Sequence, residues 1–307
     1  MGQSAELDEL LDALSAAHRA PVRVVEHLNP EHPELEHAIE RSVEKHQARF
    51  VIADLNNPRI AEALSRPYNY IARGVRFIDM LGLYEEAFGR VPLSILDDRW
   101  LARHVSRYAH MLYDPVKRLM DIGVGAIAGV LSLALYPFIA AAIYIEDGGA
   151  VFITQERVGQ DGRTVRMHKF RSMTGNDRGQ YGPGGTTALA VTAVGRVLRK
   201  TRLDELPQLW SVVRGDLSLI GPRPEFPSLV SRYEQEIPYY GVRHLIKPGL
   251  SGWAQLYHDN HPHHGAEVGA TREKLSYDLY YLKHRSLALD ATIALKTIKK
   301  LITRSGV

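Results

Sequence analysis

The feature that most restricts this chain is an internal apolar run. From Ile122 to Ile145 there are 24 residues without a formal charge, preceded by Lys117 and Arg118 and closed by Glu146 and Asp147. A stretch this long exceeds the helices of ordinary globular cores and reads as membrane-associated. As one straight helix at 1.5 Å per residue it reaches across a bilayer. Pro137 argues against straightness, because it removes a backbone donor and clashes with the preceding turn. The piece from Ile122 to Tyr136 spans roughly 22 Å, short of the ~30 Å hydrocarbon core. Three routes stay open: a segment that dips in, breaks at Pro137 and returns; one that crosses; and a buried core helix. Re-entry is favoured, because both flanks look like cytoplasmic sequence and the basic pair at the entry suits an anionic leaflet.

Composition narrows the rest. A chain of 307 residues predicts about two domains. With 45% hydrophobic and 24% charged residues, it is not a disordered chain. The formal charge of +3 gives no reason to expect nucleic acid. The absence of cysteine removes disulfides, thiol nucleophiles and cysteine zinc sites together. Residues 1–20 lack the basic start and apolar run of an export signal.

Ahead of the apolar run, strand and helix patterns alternate. Pro21–Leu28, Arg49–Leu55 and Val75–Met80 read as strands; Glu34–Gln47, Pro58–Ser65 and Leu83–Phe88 read as helices. That alternation predicts a small parallel α/β domain. No G-x-G-x-x-G follows any of these strands, so dinucleotide binding is unsupported and a structural or assembly role is expected. About three strands leave a sheet edge wanting cover, which points to a homodimer.

Beyond the apolar run, apolar and polar residues alternate around Gln160-Asp161-Gly162, predicting a β-hairpin whose second arm leads into Lys169 and Arg171. A loop rich in Gly, Asn and Asp follows over Gly175–Gly185, and helical signals run from Val191 to Val213. Within them Asp204 and Glu205 stand side by side among Arg199, Lys200 and Arg202. Pro207 is tolerated only in a helix's first turn, so a helix is predicted to begin near Asp204.

Two readings of these acids compete. Thr201-x-x-Asp204 fits a capping box, and acids near a helix start complement its dipole. Alternatively, a carboxylate kept ionised by arginines is a nucleophile, and the same field holds a phosphate. Glu205 then completes a site for a divalent cation, which takes oxygen ligands and bridges phosphates. Further on, Gly221-Pro-Arg-Pro224 is a rigid turn that fixes the Arg223 guanidinium. It is either a phosphate fork or a stiff loop with a solvated Arg.

Four runs carry a resemblance: KFRSM (169–173), RKTRLDELPQLWSVVRGDLSLIGPRPE (199–225), KPGLSGWAQL (247–256) and YDLYYLKHRSLALD (277–290). In order and content they resemble the bacterial sugar transferase family, the monotopic phosphoglycosyl transferases that act on a polyprenol carrier. The resemblance covers about Asp114 to Val307. With VPLSILDDRWLARH (91–104) ahead of the apolar run, the chain is similar to the exopolysaccharide-initiating branch. Members of that branch usually carry four transmembrane helices and a fuller Rossmann-like domain upstream, so this chain is expected to be naturally short or truncated.

The resemblance implies the chemistry residue by residue. Asp204 matches the nucleophile that attacks the β-phosphate of a UDP-sugar, releasing UMP and leaving a sugar phosphate on the carboxylate. Undecaprenyl phosphate then displaces it. Glu205 matches the second acid of the dyad, and the two together are the implied Mg²⁺ ligands. Lys169, Arg171, Arg199 and Arg223 fall on positions suited to anchoring phosphates, and Pro137 is the implied membrane break.

The sequence thus predicts a mixed α/β (α+β) chain in three parts: a partial Rossmann-like domain over 1–110, a re-entrant segment over 111–148 and a mostly helical catalytic domain over 149–307. The expected setting is the cytoplasmic face of the bacterial inner membrane, in contact with its lipid. Glucose or galactose is the expected sugar. A silent membrane-docked assembly protein and a phosphohydrolase are the alternatives. His258–His264 carries four histidines at no standard zinc spacing and is read as a polar loop. The cations Lys283, Arg285, Lys296, Lys299, Lys300 and Arg304 face either lipid head groups or solvent.

Overall fold

The computed structural model describes residues 5–16, 23–65, 67–105, 111–174, 189–257 and 268–303. The Gly175–Gly185 loop, apart from its neighbours 173–174, the His258–His264 loop and Arg304 lie outside the described residues. The chain divides into two compact units, Met1–Leu96 and Asp97–Val307.

In the first unit, α1 (Ala5–Ala16) and α2 (Leu35–His46) precede β1 (Phe50–Ala53). Next come α3 (Pro58–Ala63), α4 (Pro67–Ala72), β2 (Arg76–Asp79) and α5 (Met80–Phe88). The strands pair in parallel, Phe50 with Arg76 through Ala53 with Asp79. One face of α2, formed by Leu35, Ile39 and Val43, is buried with Ile60, Leu64, Tyr70 and Val75. The expected strand over Pro21–Leu28 does not form across its described part, 23–28, where Val24 and Val25 are exposed. β-Branched valines are not enough for a strand when no partner edge takes up their backbone groups.

The second unit opens with α6 (Asp98–His104) and then the apolar segment, α7 (Tyr113–Ser132) and α8 (Tyr136–Asp147), joined by a 3₁₀ turn at Leu133–Leu135. Together Tyr113–Asp147 is long and apolar enough to cross a membrane. Pro137 sits in the first turn of α8, where its missing N–H does no harm, and the α ladder is interrupted just ahead of it. The inward stripe of α7 is Asp121, Gly125, Gly129 and Ser132, small enough for close approach to Val212 and Trp210. The outward face exposes Leu119, Ile127, Leu131, Phe138 and Ile145.

β3 (Phe152–Val158) and β4 (Thr164–Phe170) form the expected hairpin, Phe152 opposite Phe170. Its turn places Asp161 and Gly162 both at positive φ, which the Asp-Gly pair tolerates. Next come α9 (Ala193–Thr201), a 3₁₀ turn at Leu203–Glu205 and α10 (Gln208–Arg214). β5 (Ser218–Ile220) pairs in parallel with β6 (Gly249–Ser251), and α11 (Pro227–Glu236) lies between them in sequence. Short α12 (Trp253–Tyr257), α13 (Val268–His284) and α14 (Leu287–Ile302) complete the unit. Trp253 is buried and stacks on Tyr280, so it serves the core.

Candidate active site

The acids sit on a sharp corner. α9 ends at Thr201, Arg202 takes a left-handed φ of 57°, and the chain re-enters a 3₁₀ turn carrying Asp204 and Glu205. A left-handed non-glycine residue costs about 1–2 kcal/mol, so the corner is held by its surroundings. Leu203 and Leu206, on either side of the acids, pack against the cluster of Ile139, Ile143, Phe170 and Leu198. The acidic corner therefore rests directly on α8, the second half of the apolar segment.

The capping-box expectation for Thr201 is corrected here. Thr201 closes α9 rather than opening the next helix, and its hydroxyl donates back to the Val197 carbonyl at 2.8 Å. A threonine in a last turn finds the i−4 carbonyl before any downstream N–H.

Around Glu205 three cations converge on one oxygen. Its Oε1 lies 3.3 Å from Arg223 Nη2, 3.5 Å from Arg202 Nη1 and 3.8 Å from Lys169 Nζ. Burial alone would raise the Glu205 pKa; the charges of Arg223, Lys169 and Arg202 outweigh it and hold the carboxyl well below its ordinary range. Asp204 differs. It is 7% exposed, and its Oδ1 has no hydrogen-bond partner among the described residues. Burial, then the neighbouring Glu205 charge, push its pKa up against the pull of Lys169, Arg202 and Arg199. The dyad thus joins a locked carboxylate to an unattached one. Lys169 is itself depressed to about 8, by burial first and then by Arg157 and Arg223, while Glu205 pulls the other way.

The other expected anchors divide. Lys169 and Arg223 stand at the dyad. Arg199 is held beside it, donating through Nε to Ser172 Oγ at 3.0 Å. Arg171 is engaged elsewhere: both arms of its guanidinium bind the Asp147 carboxylate and its Nε donates to the Ala150 carbonyl. Its partners stand at and just past the end of α8.

A buried frame behind the Pro-Arg-Pro turn went unread in the sequence. Arg243, 2% exposed, donates through Nη2 to the Arg223 carbonyl at 2.9 Å and through Nε to Asp278 Oδ2 at 2.8 Å. Arg157 donates to the Pro224 carbonyl at 3.4 Å and lies 3.3 Å above the Phe226 ring. Glu225 pairs with Lys274 in the same interior. These partners lie up to 67 residues apart in sequence, so no local spacing announces them.

Comparison with known proteins identifies the family. The model of the bacterial sugar transferase family matches residues 112–304, well over half of the chain. This chain belongs to the bacterial sugar transferase family. It is 38% identical over 263 residues to the UDP-N-acetylgalactosamine-undecaprenyl-phosphate N-acetylgalactosaminephosphotransferase of Aeromonas hydrophila, covering 83% of this chain and 59% of that protein. It is 32% identical over 192 residues to the uncharacterized sugar transferase EpsL of Bacillus subtilis (strain 168), covering 62% of this chain and 90% of that one. To the UDP-glucose:undecaprenyl-phosphate glucose-1-phosphate transferase of Klebsiella pneumoniae it is 36% identical over 185 residues, 60% of this chain and 39% of that protein. The chain therefore spans well under two thirds of two of these relatives. The matched range includes Lys169, Asp204, Glu205 and Arg223.

Proposed function

We propose that this sugar transferase moves a sugar 1-phosphate from a UDP-sugar to undecaprenyl phosphate and releases UMP, initiating exopolysaccharide or glycoconjugate synthesis. The observation that carries this is the asymmetric dyad: Glu205 locked by three cations beside a buried, unattached Asp204, seated on the apolar segment.

In the first step an Asp204 oxygen attacks the β-phosphorus. The bond from that phosphorus to the bridging oxygen breaks, and UMP departs with the electron pair. In the second, an oxygen of undecaprenyl phosphate attacks the same phosphorus and the Asp204 carboxylate is restored. Splitting one displacement into two predicts ping-pong kinetics. Arg223, Lys169, Arg202 and Arg199 supply the positive field that a pyrophosphate needs, and Glu205 holds the first three of these in register.

Mg²⁺ suits the donor set. Asp204 Oδ1 is a buried carboxylate oxygen with no partner among the described residues, and Mg²⁺ takes one or two carboxylates together with substrate phosphates. Asp204 and Glu205 would hold it, and when bound it would offset charge on the pyrophosphate.

Contacts at its two ends support a re-entrant course for the apolar segment. Near its start Arg118 donates to the Val212 and Val213 carbonyls, both at 2.7 Å. Near its finish Glu146 accepts from the Ala193 and Val194 amides, and Asp147 binds Arg171. Both ends grip the same folded unit, so a crossing would have to drag that unit through the bilayer. Entry and return on the cytoplasmic face of the inner membrane supports the reading, because the acceptor's tail stays in the lipid. The Rossmann-like character of the first unit, and self-association through it, belong to the same proposal.

The test is product analysis with nanodisc-held protein, Mg²⁺, undecaprenyl phosphate and UDP-glucose, UDP-galactose and UDP-N-acetylgalactosamine in turn. UMP with a lipid-linked sugar diphosphate supports transfer and names the sugar. UMP with free sugar phosphate means a phosphohydrolase, UDP means a different bond is cut, and no product favours a silent assembly protein.

A further inference from the structure

Four residues past Asp204, Gln208 opens α10 and is only 2% exposed. Its Nε2 is buried and meets no acceptor among the described residues. The large majority of buried side-chain polar atoms are hydrogen-bonded in native proteins, so an orphan donor calls for an explanation. Here an orphan acceptor, Asp204 Oδ1, lies on the same stretch of chain. Between the two, Leu206 and Pro207 keep right-handed helical dihedrals, so the side chains leave the backbone about one helical turn apart. The other inward positions of α10 serve packing, as Val212 does with Met167 and Leu217.

We propose that Gln208 is the positioning residue for the Asp204 nucleophile: its carboxamide N–H donates to Oδ1, whose second lone pair stays open to a cation, and Oδ2 is left directed at phosphorus. The inference rests on the transferase reading. Tying Oδ1 removes a rotation that the attacking carboxylate otherwise has to freeze, and misplacement by about 1 Å costs on the order of 100-fold in rate. One is a donor and the other an acceptor, both are buried without a partner among the described residues, and they stand four residues apart.

The experiment is rapid-mix measurement of the UMP burst without acceptor, for wild type, Gln208→Leu and Gln208→Glu, beside the Tm of each. Leucine matches the size without polar atoms; glutamate keeps the shape and loses the N–H donor. The expected result is a burst rate reduced about 100-fold in both variants, with donor KM within about threefold of wild type. The Tm of Gln208→Leu is expected to be equal to or above that of wild type, because no hydrogen bond of the resting protein is lost. Burst rates within threefold of wild type in both variants overturn the proposal. So does a rate loss accompanied by a lowered Tm in both, which marks a structural residue. A wild-type protein without any UMP burst refutes the transferase reading itself, and the positioning role falls with it.

Discussion

Deleting the Asp278 carboxylate tests whether the Pro-Arg-Pro turn is held from behind. Arg243 and Asp278 are 2% and 1% exposed, with Arg243 Nε and Nη2 at 2.8 and 2.7 Å from Asp278 Oδ2. Removing one member of a buried pair strands the other charge, which costs about 3–5 kcal/mol. In a unit of this size each kcal/mol moves Tm by about 2–4 °C, so Asp278→Ala is expected to lower Tm by about 6–20 °C. Replacing both partners with apolar residues, Arg243→Met with Asp278→Leu, leaves no stranded charge and recovers most of that loss. It also removes the donor to the Arg223 carbonyl, so stability and turnover separate: the double variant folds, yet UMP turnover falls about tenfold or more. Scanning calorimetry beside a UMP assay reads both. An Asp278→Ala Tm within about 2 °C of wild type, or a double variant with full turnover, refutes the argument.

Three further outcomes follow from the same geometry. His244 is buried, and burial followed by the Arg243 charge pushes its imidazole down to about 3. The unfolded imidazole titrates near 6.5, so between these values the unfolded chain binds the extra proton and stability falls as pH falls. About 2 kcal/mol is lost between pH 6.5 and 5, and denaturant titrations of His244→Gln should lack that limb. A Cβ at Gly195 would land on the Ser172 carbonyl, so Gly195→Ala is expected to displace the start of α9 and cost about 1–3 kcal/mol, read by urea unfolding. Because Arg171 serves Asp147 while Arg223 serves the dyad, Arg171→Met should lower Tm with donor KM within twofold. Arg223→Met should raise donor KM about tenfold or more.

What the sequence disclosed was mostly local. The Asp161–Gly162 turn, the apolar run with its interruption ahead of Pro137, and the adjacency of Asp204 and Glu205 are all written within a few residues of each other. What it concealed depends on the three-dimensional path. Arg171 sits two residues from Lys169, but β4 ends at Phe170, and past that end Arg171 meets Asp147 at the close of α8 instead of the dyad. No local pattern singles out Arg243 and Arg157, which are interior donors to the Arg223 and Pro224 carbonyls. Thr201 shows the limit of motif spacing: the left-handed Arg202 ends one helical element before the acids begin the next. Val24 and Val25 show the limit of β-branched composition, since a strand exists only where a neighbour pairs with it.

The central claim is that Asp204 becomes covalently phosphorylated by the sugar donor. It is tested most directly by intact-protein mass spectrometry after mixing nanodisc-held protein with Mg²⁺ and the active UDP-sugar in the absence of acceptor. The expected result is a stoichiometric sugar-phosphate adduct, matched by one UMP per active site, mapped by proteolysis to Asp204 and discharged by undecaprenyl phosphate. An unmodified protein that nevertheless turns over, an adduct on another residue, or full turnover by Asp204→Asn would contradict it.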